Sequence, residues 1–268
     1  MLFSVLISVY INEKPEILNR ALESVWDFQT LLPNEIVLVK DGPLTDELEK
    51  VIIKWQNRLQ EKFKIVSLTY NVGLGQALNE GIKYCSFELV ARMDSDDISL
   101  PNRFQAQIPF IYGKKDVSVC SAWIEELSES GCVVSIKKLH SDYLKIKKQS
   151  KIRSPVNHAA CVFRRDAIIS IGGYPHQRIE DYALISLLLV KGHIIENIPE
   201  VLYQVRLDNN FYNRRGYEFF KGELQLLKYQ IEIGFISIPV AIRNAFTRAV
   251  FRLSPNIIKR ILYLILRS

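Results

Sequence analysis

The stretch Glu88-Leu-Val-Ala-Arg-Met-Asp-Ser-Asp-Asp97 decides how this 268-residue chain is read. It begins apolar enough for a buried strand and ends on three carboxylates, Asp94, Asp96 and Asp97. Burying such a cluster bare costs on the order of several kcal/mol per charge, so it belongs at a strand end beside a counter-ion. Alternate residues of an extended strand point the same way, which lets Asp94 and Asp96 reach one cation. Hard oxygen ligands in this number suit Mg2+ or Mn2+, ions that bridge to a substrate diphosphate. The plainer reading is a helix N-cap with spare surface acids, since Ser99 and Pro101 follow. A cap rarely needs three acids, so the metal and nucleotide reading is preferred.

Upstream of this stretch, strand and helix signals alternate. Residues 3–10 form an apolar run of strand length, punctuated by Asn12-Glu13-Lys14-Pro15, and Pro15 suits the first turn of a helix ending near residue 28. A strand is expected over 35–40, stopped by Asp41-Gly42-Pro43, then a helix over 45–60, a strand over 63–68 and a helix over 74–84. This spacing implies right-handed β-α-β units, hence an α/β fold with a Rossmann-like, mostly parallel central sheet flanked by helices. Such sheets bind ligands beyond the carboxyl ends of their strands. Three of those ends are polar here: residues 10–13, Asp41-Gly42, and residues 94–97.

Downstream of Pro101 the pattern weakens. It predicts a helix to residue 111, a strand over 117–125, a hairpin through Ser130-Gly131 and a strand over 159–163. A short helix over 165–171 ends on Gly172-Gly173, an apolar helix spans 181–191, and residues 193–206 return in extended form. Residues 137–153 carry seven bases and one acid with little apolar periodicity. They read as a mobile surface loop, with a phosphate-contacting or membrane-facing loop as the alternative.

Composition narrows the class. With 48% hydrophobic and 24% charged residues the chain can bury a full core. Its cysteines (Cys85, Cys120, Cys132, Cys161) form no C-x-x-C pair, which favours a reducing cytoplasm over a disulfide framework or zinc site. The first ten residues lack a basic n-region and a small-residue cleavage site, so they read as a strand and not a signal peptide. The formal charge of +6 lies entirely in residues 233–268, where Arg243, Arg248, Arg252, Lys259, Arg260 and Arg267 meet no acid. The chain therefore divides into a neutral domain over 1–232, with halves of about 1–100 and 101–232, and a basic amphipathic helical tail over 233–268. Arg248, Arg252 and Lys259 share one helical face, and Pro255 splits the tail into two short helices. No apolar run reaches the roughly 18 residues that suggest a membrane span. The tail reads as an interfacial helix on an anionic membrane, with packing on the domain or homodimerisation as alternatives. Nucleic acid is not an expected partner, because the bases are not interleaved with exposed aromatics.

As a set, Val5-Leu-Ile-Ser-Val-Tyr10, Val39-Lys-Asp-Gly42, Asn71-Val-Gly-Leu-Gly-Gln-Ala-Leu-Asn79, Ala91-Arg-Met-Asp-Ser-Asp-Asp97 and Ile179-Glu-Asp181 resemble family 2 glycosyltransferases. The resemblance covers residues 3 to about 206 and is strongest to bacterial hexosyltransferases that build exopolysaccharide, capsule or O-antigen. It implies the GT-A fold, a nucleotide-sugar donor and inversion at the anomeric centre. It also implies that Ser8, Val9 and Tyr10 line the nucleotide pocket with Glu13 close by. Asp41 matches the residue that meets the base edge, usually uracil, while Asn71 and Gly73 flank the nucleotide and Arg92 precedes the D-x-D acids. Asp94 and Asp96 match the acids that meet ribose and the diphosphate-bound Mn2+ or Mg2+, with Asp97 competing with Asp96 for the metal. Asp181 matches the general base, with Glu180 beside it. Arg206 stands where some relatives place a histidine beside the metal or phosphates, and His158 is a candidate acceptor or phosphate contact.

The chemistry accounts for these residue types. Displacing a nucleoside diphosphate builds negative charge that a divalent cation stabilises without proton transfer. The attacking hydroxyl must lose its proton, so one carboxylate serves as base. Plainer roles stand beside these: Asp41 as a turn residue, Glu180-Asp181 as a helix cap, His158 as a structural histidine. Ala77-Leu78-Asn79 departs from the Ala-Arg-Asn of many family members, and the Q-x-x-R-W signature of processive synthases is absent, so single-sugar transfer is expected. The expected function is transfer from a UDP-sugar to a lipid-linked saccharide by a protein held peripherally at the inner face of the cell membrane. A nucleotidyltransferase and a non-catalytic docking subunit are the alternatives. A dinucleotide-binding oxidoreductase is disfavoured, since Gly73-Leu-Gly75-Gln-Ala-Leu78 lacks the third glycine and follows the third strand.

Overall fold

A computed structural model describes residues 1–207 and 216–253; the second tail helix expected after Pro255 lies outside the described residues. Four strands, β1 (Phe3–Val9), β2 (Glu35–Lys40), β3 (Phe63–Ser67) and β4 (Leu89–Asp94), lie parallel in the order β3-β2-β1-β4. Their Val, Ile and Leu runs are buried on both faces, as parallel strands require. Phe3, Val5, Ile7 and Val9 alternate into one core with α1 (Pro15–Val25), α2 (Asp46–Leu59) and α4 (Arg103–Gly113). Leu6, Val37 and Val39 face the other core, beneath α3 (Leu74–Tyr84) and α7 (Glu180–Val190). The sheet is thus the Rossmann-like layer that the sequence predicts.

The second half extends the sheet beyond β4. β8 (Val162–Arg164) pairs antiparallel with β4, and β6 (Val117–Leu127) antiparallel with β8. β9 (Ile194–Arg206) runs parallel to β6, and the two-residue β5 (Ile98–Ser99) closes on β9. β7 (Val133–Lys137) makes the expected hairpin with β6. The path back to β9 brings residues 203–206 beside the end of β4.

Two segments differ from expectation. Residues 137–153 are not a loop throughout: they contain α5 (Tyr143–Gln149), capped by Asp142, whose side chain accepts the Lys145 N–H. Ile146 alone is fully buried on α5, so one apolar anchor among lysines left no periodicity to read. Residues 158–160 form a 3-10 turn ahead of β8, where a strand was predicted from residue 159. After α6 (Arg165–Ser170), α7 and β9, the chain forms α8 (Tyr217–Glu232) and α9 (Ile238–Leu253). α9 packs on the domain: Arg252 makes a two-pronged pair with Glu223, and Asn244 Nδ2 donates to the Lys151 carbonyl at 2.7 Å. No helix among the described residues is long and apolar enough to cross a membrane.

Candidate active site

The ends of β2, β1 and β4 are neighbours, with Ser8 opposite Asp94 and Val9 opposite Lys40. Ser8, Val9 and Tyr10 therefore lie between Asp41 and the aspartate cluster. Asp41 is buried and held by backbone groups. Its own N–H donates to the Val9 carbonyl at 2.8 Å, and its carboxylate accepts from Val72 N–H at 2.7 Å and Gly73 N–H at 3.2 Å. Asn71 Nδ2 adds a 3.3 Å bond to the Asp41 carbonyl. Gly42 completes the turn at φ 89°, where a Cβ would stand 2.8 Å from the Asn71 nitrogen. Asp41 is therefore a clamp between two strand ends and the loop leading into α3, which is more than a turn residue does.

At the end of β4, Asp94, Asp96 and Asp97 each place a carboxylate oxygen within 4.8 Å of the others. The fully buried Arg92 reaches Asp94 with both prongs, Nη1 lying 2.5 Å from Oδ2 and Nη2 pairing with Oδ1. Burial works against the Arg92 charge, and Asp94 outweighs it, so the guanidinium sits above its ordinary pKa. Asp97 is buried and accepts the Arg206 N–H at 3.0 Å; burial, then Asp94 and Asp96, hold its carboxyl well above the usual range. Asp96 opens onto the cleft, yet the crowding of protein around it, followed by the charges of Asp94 and Glu13, pushes it up to about 7. Glu13 is drawn into the same cluster, its Oε2 accepting from the Ser95 hydroxyl at 2.9 Å. Mutually repelling hard-oxygen donors at this spacing fit a divalent cation of the Mg2+ or Mn2+ kind.

A second layer holds these acids, and sequence patterning does not single it out. Asp94 N–H donates to the Tyr203 hydroxyl at 3.1 Å. The Arg103 guanidinium stacks 4.8 Å from the Tyr203 ring and donates to the Arg92 carbonyl at 2.6 Å. Burial pulls Arg103 down to about 10. The signal was present in α4, where a basic residue sits on the face that also carries Phe104, Ile108 and Ile111. His158 stands in the wall behind the cluster, its Nε2 2.9 Å from the Tyr174 hydroxyl. Burial, then the Arg92 charge, hold its imidazole well below the ordinary value, so it is neutral.

On the opposite side Glu180 and Asp181 occupy the first turn of α7. Asp181 Oδ1 accepts the Tyr182 N–H at 2.7 Å. Glu180 is wedged against the start of α3, where a Cβ added to Gly75 would lie 3.0 Å from its own Cβ. Burial, followed by the Asp181 charge, raises Glu180 to about 7, and the field of Asp94 also reaches it. Asn79 fixes the loop ahead of α7 from both directions: Tyr174 N–H donates to its Oδ1 at 2.7 Å, and its Nδ2 donates to the Tyr174 carbonyl at 3.0 Å. The structure thus brings together Ser8, Val9, Tyr10, Glu13, Asp41, Asn71, Gly73, Arg92, the aspartates and Arg206 at the strand ends, with Glu180 and Asp181 across α3.

Fold and site together define a GT-A glycosyltransferase. The Glycosyl transferase family 2 model matches residues 4–172, and the chain belongs to that family. It is 42% identical over 240 residues to the amylovoran biosynthesis glycosyltransferase AmsE of Erwinia amylovora, covering 88% of this chain and 89% of that protein. It is 37% identical over 267 residues to the UDP-Gal:alpha-D-GlcNAc-diphosphoundecaprenol beta-1,3-galactosyltransferase of Escherichia coli, covering 97% and 94%. Among solved structures, S. aureus TarS in complex with UDP-GlcNAc superposes with a TM-score of 0.69 at 19% identity, over 93% of this chain and 73% of that one. The mannosyltransferase PcManGT from Pyrobaculum calidifontis, in complex with GDP-Man and Mn2+, gives 0.66 at 16% identity, over 98% and 78%. Likeness at such identity is one of fold. The expected kinship with bacterial exopolysaccharide and O-antigen transferases is met, and the chain is an enzyme of the transferase class.

Proposed function

We propose that this glycosyltransferase moves one sugar from a UDP-sugar to a hydroxyl of a lipid-linked saccharide, with inversion, using a divalent cation held at Asp94, Asp96 and Asp97. The observation that carries the reading is that the Asp41 clamp and the Glu180-Asp181 pair meet the start of α3 while the aspartate cluster stands at the neighbouring end of β4, close enough for Asp94 to raise the Glu180 carboxyl. Support for the substrates comes from the Escherichia coli relative, whose name specifies UDP-Gal and a diphosphoundecaprenol-linked GlcNAc.

In this mechanism Ser8, Val9, Tyr10, Asn71 and Gly73 hold the nucleotide, and Asp41, fixed by three backbone bonds, presents its remaining lone pairs to the base. When bound, Mn2+ or Mg2+ neutralises the charge that develops on the departing diphosphate. Asp181 takes the proton of the acceptor hydroxyl as that oxygen attacks the anomeric carbon opposite the leaving group. Glu180, with its carboxyl near 7, crowds Asp181 and limits negative charge at the acceptor side. Arg206 and His158 are assigned to the walls of the cleft, the first beside Asp97 and the second behind Tyr174. The acid-free end of the chain holds the protein at the inner face of the membrane that carries such an acceptor.

UDP is expected to raise the melting temperature only with Mn2+ or Mg2+ present; equal protection in EDTA would remove the metal from the mechanism. Protection by GDP but not UDP would overturn the base assignment. Asp181→Asn should keep UDP-dependent protection and lose transfer, and retained turnover would remove Asp181 as base.

A further inference from the structure

We propose that α5 and the outer face of α9 form one docking surface for an anionic phospholipid bilayer, set directly behind the acceptor-side carboxylates. α9 has two faces. Ala241 and Asn244 turn inward, whereas Ile238, Ile242 and Phe246, spaced four residues apart on one stripe, are 61%, 65% and 70% exposed. Large apolar side chains repeated at helical spacing on the surface mark an interaction site.

The cations of this surface come mainly from residues 137–153, the segment whose alternative reading is membrane-facing, and not from the basic face expected on the tail. Arg252 is turned inward to Glu223, and Arg248 lies 5.9 Å from the Tyr182 ring. Lys259, the third member of that expected basic face, lies outside the described residues. Instead α5 supplies exposed Lys145, Lys147 and Lys148 beside exposed Leu144, and Ile152 follows at 53% exposure. A cavity of about 480 Å³ joins the two helices, with Lys147, Lys148, Lys151 and Arg243 around Leu144 and Ile152. Burial, then the nearby Lys147, lowers Lys151 below its ordinary value. α9 contributes no acid, and the Asp142 carboxylate is engaged in capping α5.

Cations flanking an apolar stripe match a bilayer interface, where phosphates meet the former and acyl chains the latter. A second copy of the chain would set the same cations against one another, which disfavours a homodimer through this face. The surface is also tied to the reaction centre. Tyr182, next to Asp181, donates its hydroxyl proton to the Ser150 carbonyl at 2.5 Å, while Asn244 of α9 bonds the next carbonyl, that of Lys151. The proposed surface is thus braced against the helix that carries Asp181, the residue assigned to the acceptor. This deepens the lipid-linked acceptor proposed above, but vesicle binding is read without donor or acceptor, so the two ideas fail separately.

The test is flotation of the full-length protein with vesicles of phosphatidylcholine alone or mixed with phosphatidylglycerol. Wild type is expected to float with the mixed vesicles in a salt-sensitive manner. Ile242→Glu/Phe246→Glu should abolish flotation, and Lys147→Glu/Lys148→Glu should weaken it by roughly tenfold or more. Because all four side chains are exposed, melting temperatures and UDP-dependent protection should not move. Unchanged flotation of both variants, or equal flotation of wild type on phosphatidylcholine alone, would overturn the proposal. A concentration-dependent dimer that Phe246→Glu dissolves would overturn it in favour of a second copy.

Discussion

Arg92→Met tests how the aspartate cluster is held together. The Arg92 side chain is 3% exposed and that of Asp94 27%. Two unit charges about 4 Å apart gain about 4 kcal/mol at an effective dielectric constant near 20. Desolvation of the guanidinium, itself several kcal/mol, offsets much of that gain in the intact pair. The substitution does not return the cost symmetrically, because it leaves Asp94, crowded by Asp96 and Asp97, without the guanidinium that pairs with it. Breaking a buried pair from one side costs about 3–5 kcal/mol, and the partial exposure of Asp94 places the expected loss at the lower end, about 3 kcal/mol. Asp94→Asn should cost a similar amount, since it strands the buried guanidinium. The double variant removes both charges, so its loss should fall about 2 kcal/mol or more short of the sum of the singles. Urea unfolding in EDTA, followed by tryptophan fluorescence, measures all three. A single variant within about 0.5 kcal/mol of wild type, or simple additivity in the double, would refute the reasoning. The same substitution frees the Asp94 oxygens, so Mn2+ should raise the melting temperature of Arg92→Met more than that of wild type.

Gly81→Ala should destabilise the fold by about 1 kcal/mol, because overpacking, at about 1–3 kcal/mol, outweighs the helix-propensity gain of about 1 kcal/mol. The added Cβ would lie 2.5 Å from both Leu6 Cδ1 and Val39 Cγ2, and a higher urea midpoint would refute this. Asp41→Asn turns an amide NH2 toward the Val72 or Gly73 N–H. It should cost about 1–3 kcal/mol in stability and tenfold or more in UDP affinity; an unchanged Kd by calorimetry would uncouple the clamp from nucleotide binding. Glu180 has its folded pKa raised from 4.5 to about 7, so its stabilising contribution is full below about pH 4.5 and is lost as pH rises through about 7. Glu180→Gln should therefore gain stability relative to wild type between about pH 5 and 8, and a constant difference would refute the assignment. Asn79→Ala should raise the acceptor KM while leaving UDP binding intact, since it releases Tyr174 and not the Asp41 clamp. A parallel loss of UDP affinity would show that the two sides are not separable.

The first half of the fold was legible because its signals are local. Apolar runs bounded by Asp-Gly-Pro or Asn-x-Gly define strands whose faces are both buried, and β1 to β4 fall where the runs do. α5 was illegible because one buried isoleucine carries it, and α8 because its buried positions mix Glu223 and Gln230 with Leu226 and Leu227. The acids of the site announced themselves, since unpaired carboxylates at a strand end demand a partner. Their supports did not. Tyr203 reaches Asp94 across 109 residues of sequence, and Arg103 looks like any surface arginine until its helix face is placed. His158 kept two readings in the sequence, and its hydrogen bond to Tyr174 places it in the wall.

In the proposed mechanism the spacing of leaving group and acceptor matters, and α3 is an element that both sides of the site touch or approach. Asp41 holds the loop that enters this helix, Glu180 leans on its first turn, and Asn79 ties down the loop ahead of α7. The helix in turn is seated on β1 and β2 through Gly81, where no side chain longer than hydrogen fits without displacement. Small shifts of a positioned nucleophile cost orders of magnitude in rate, so a rigid common support is worth more here than any single contact. Leu78, at the position where the family resemblance leads one to expect arginine, is fully buried against the sheet on the face that seats the helix.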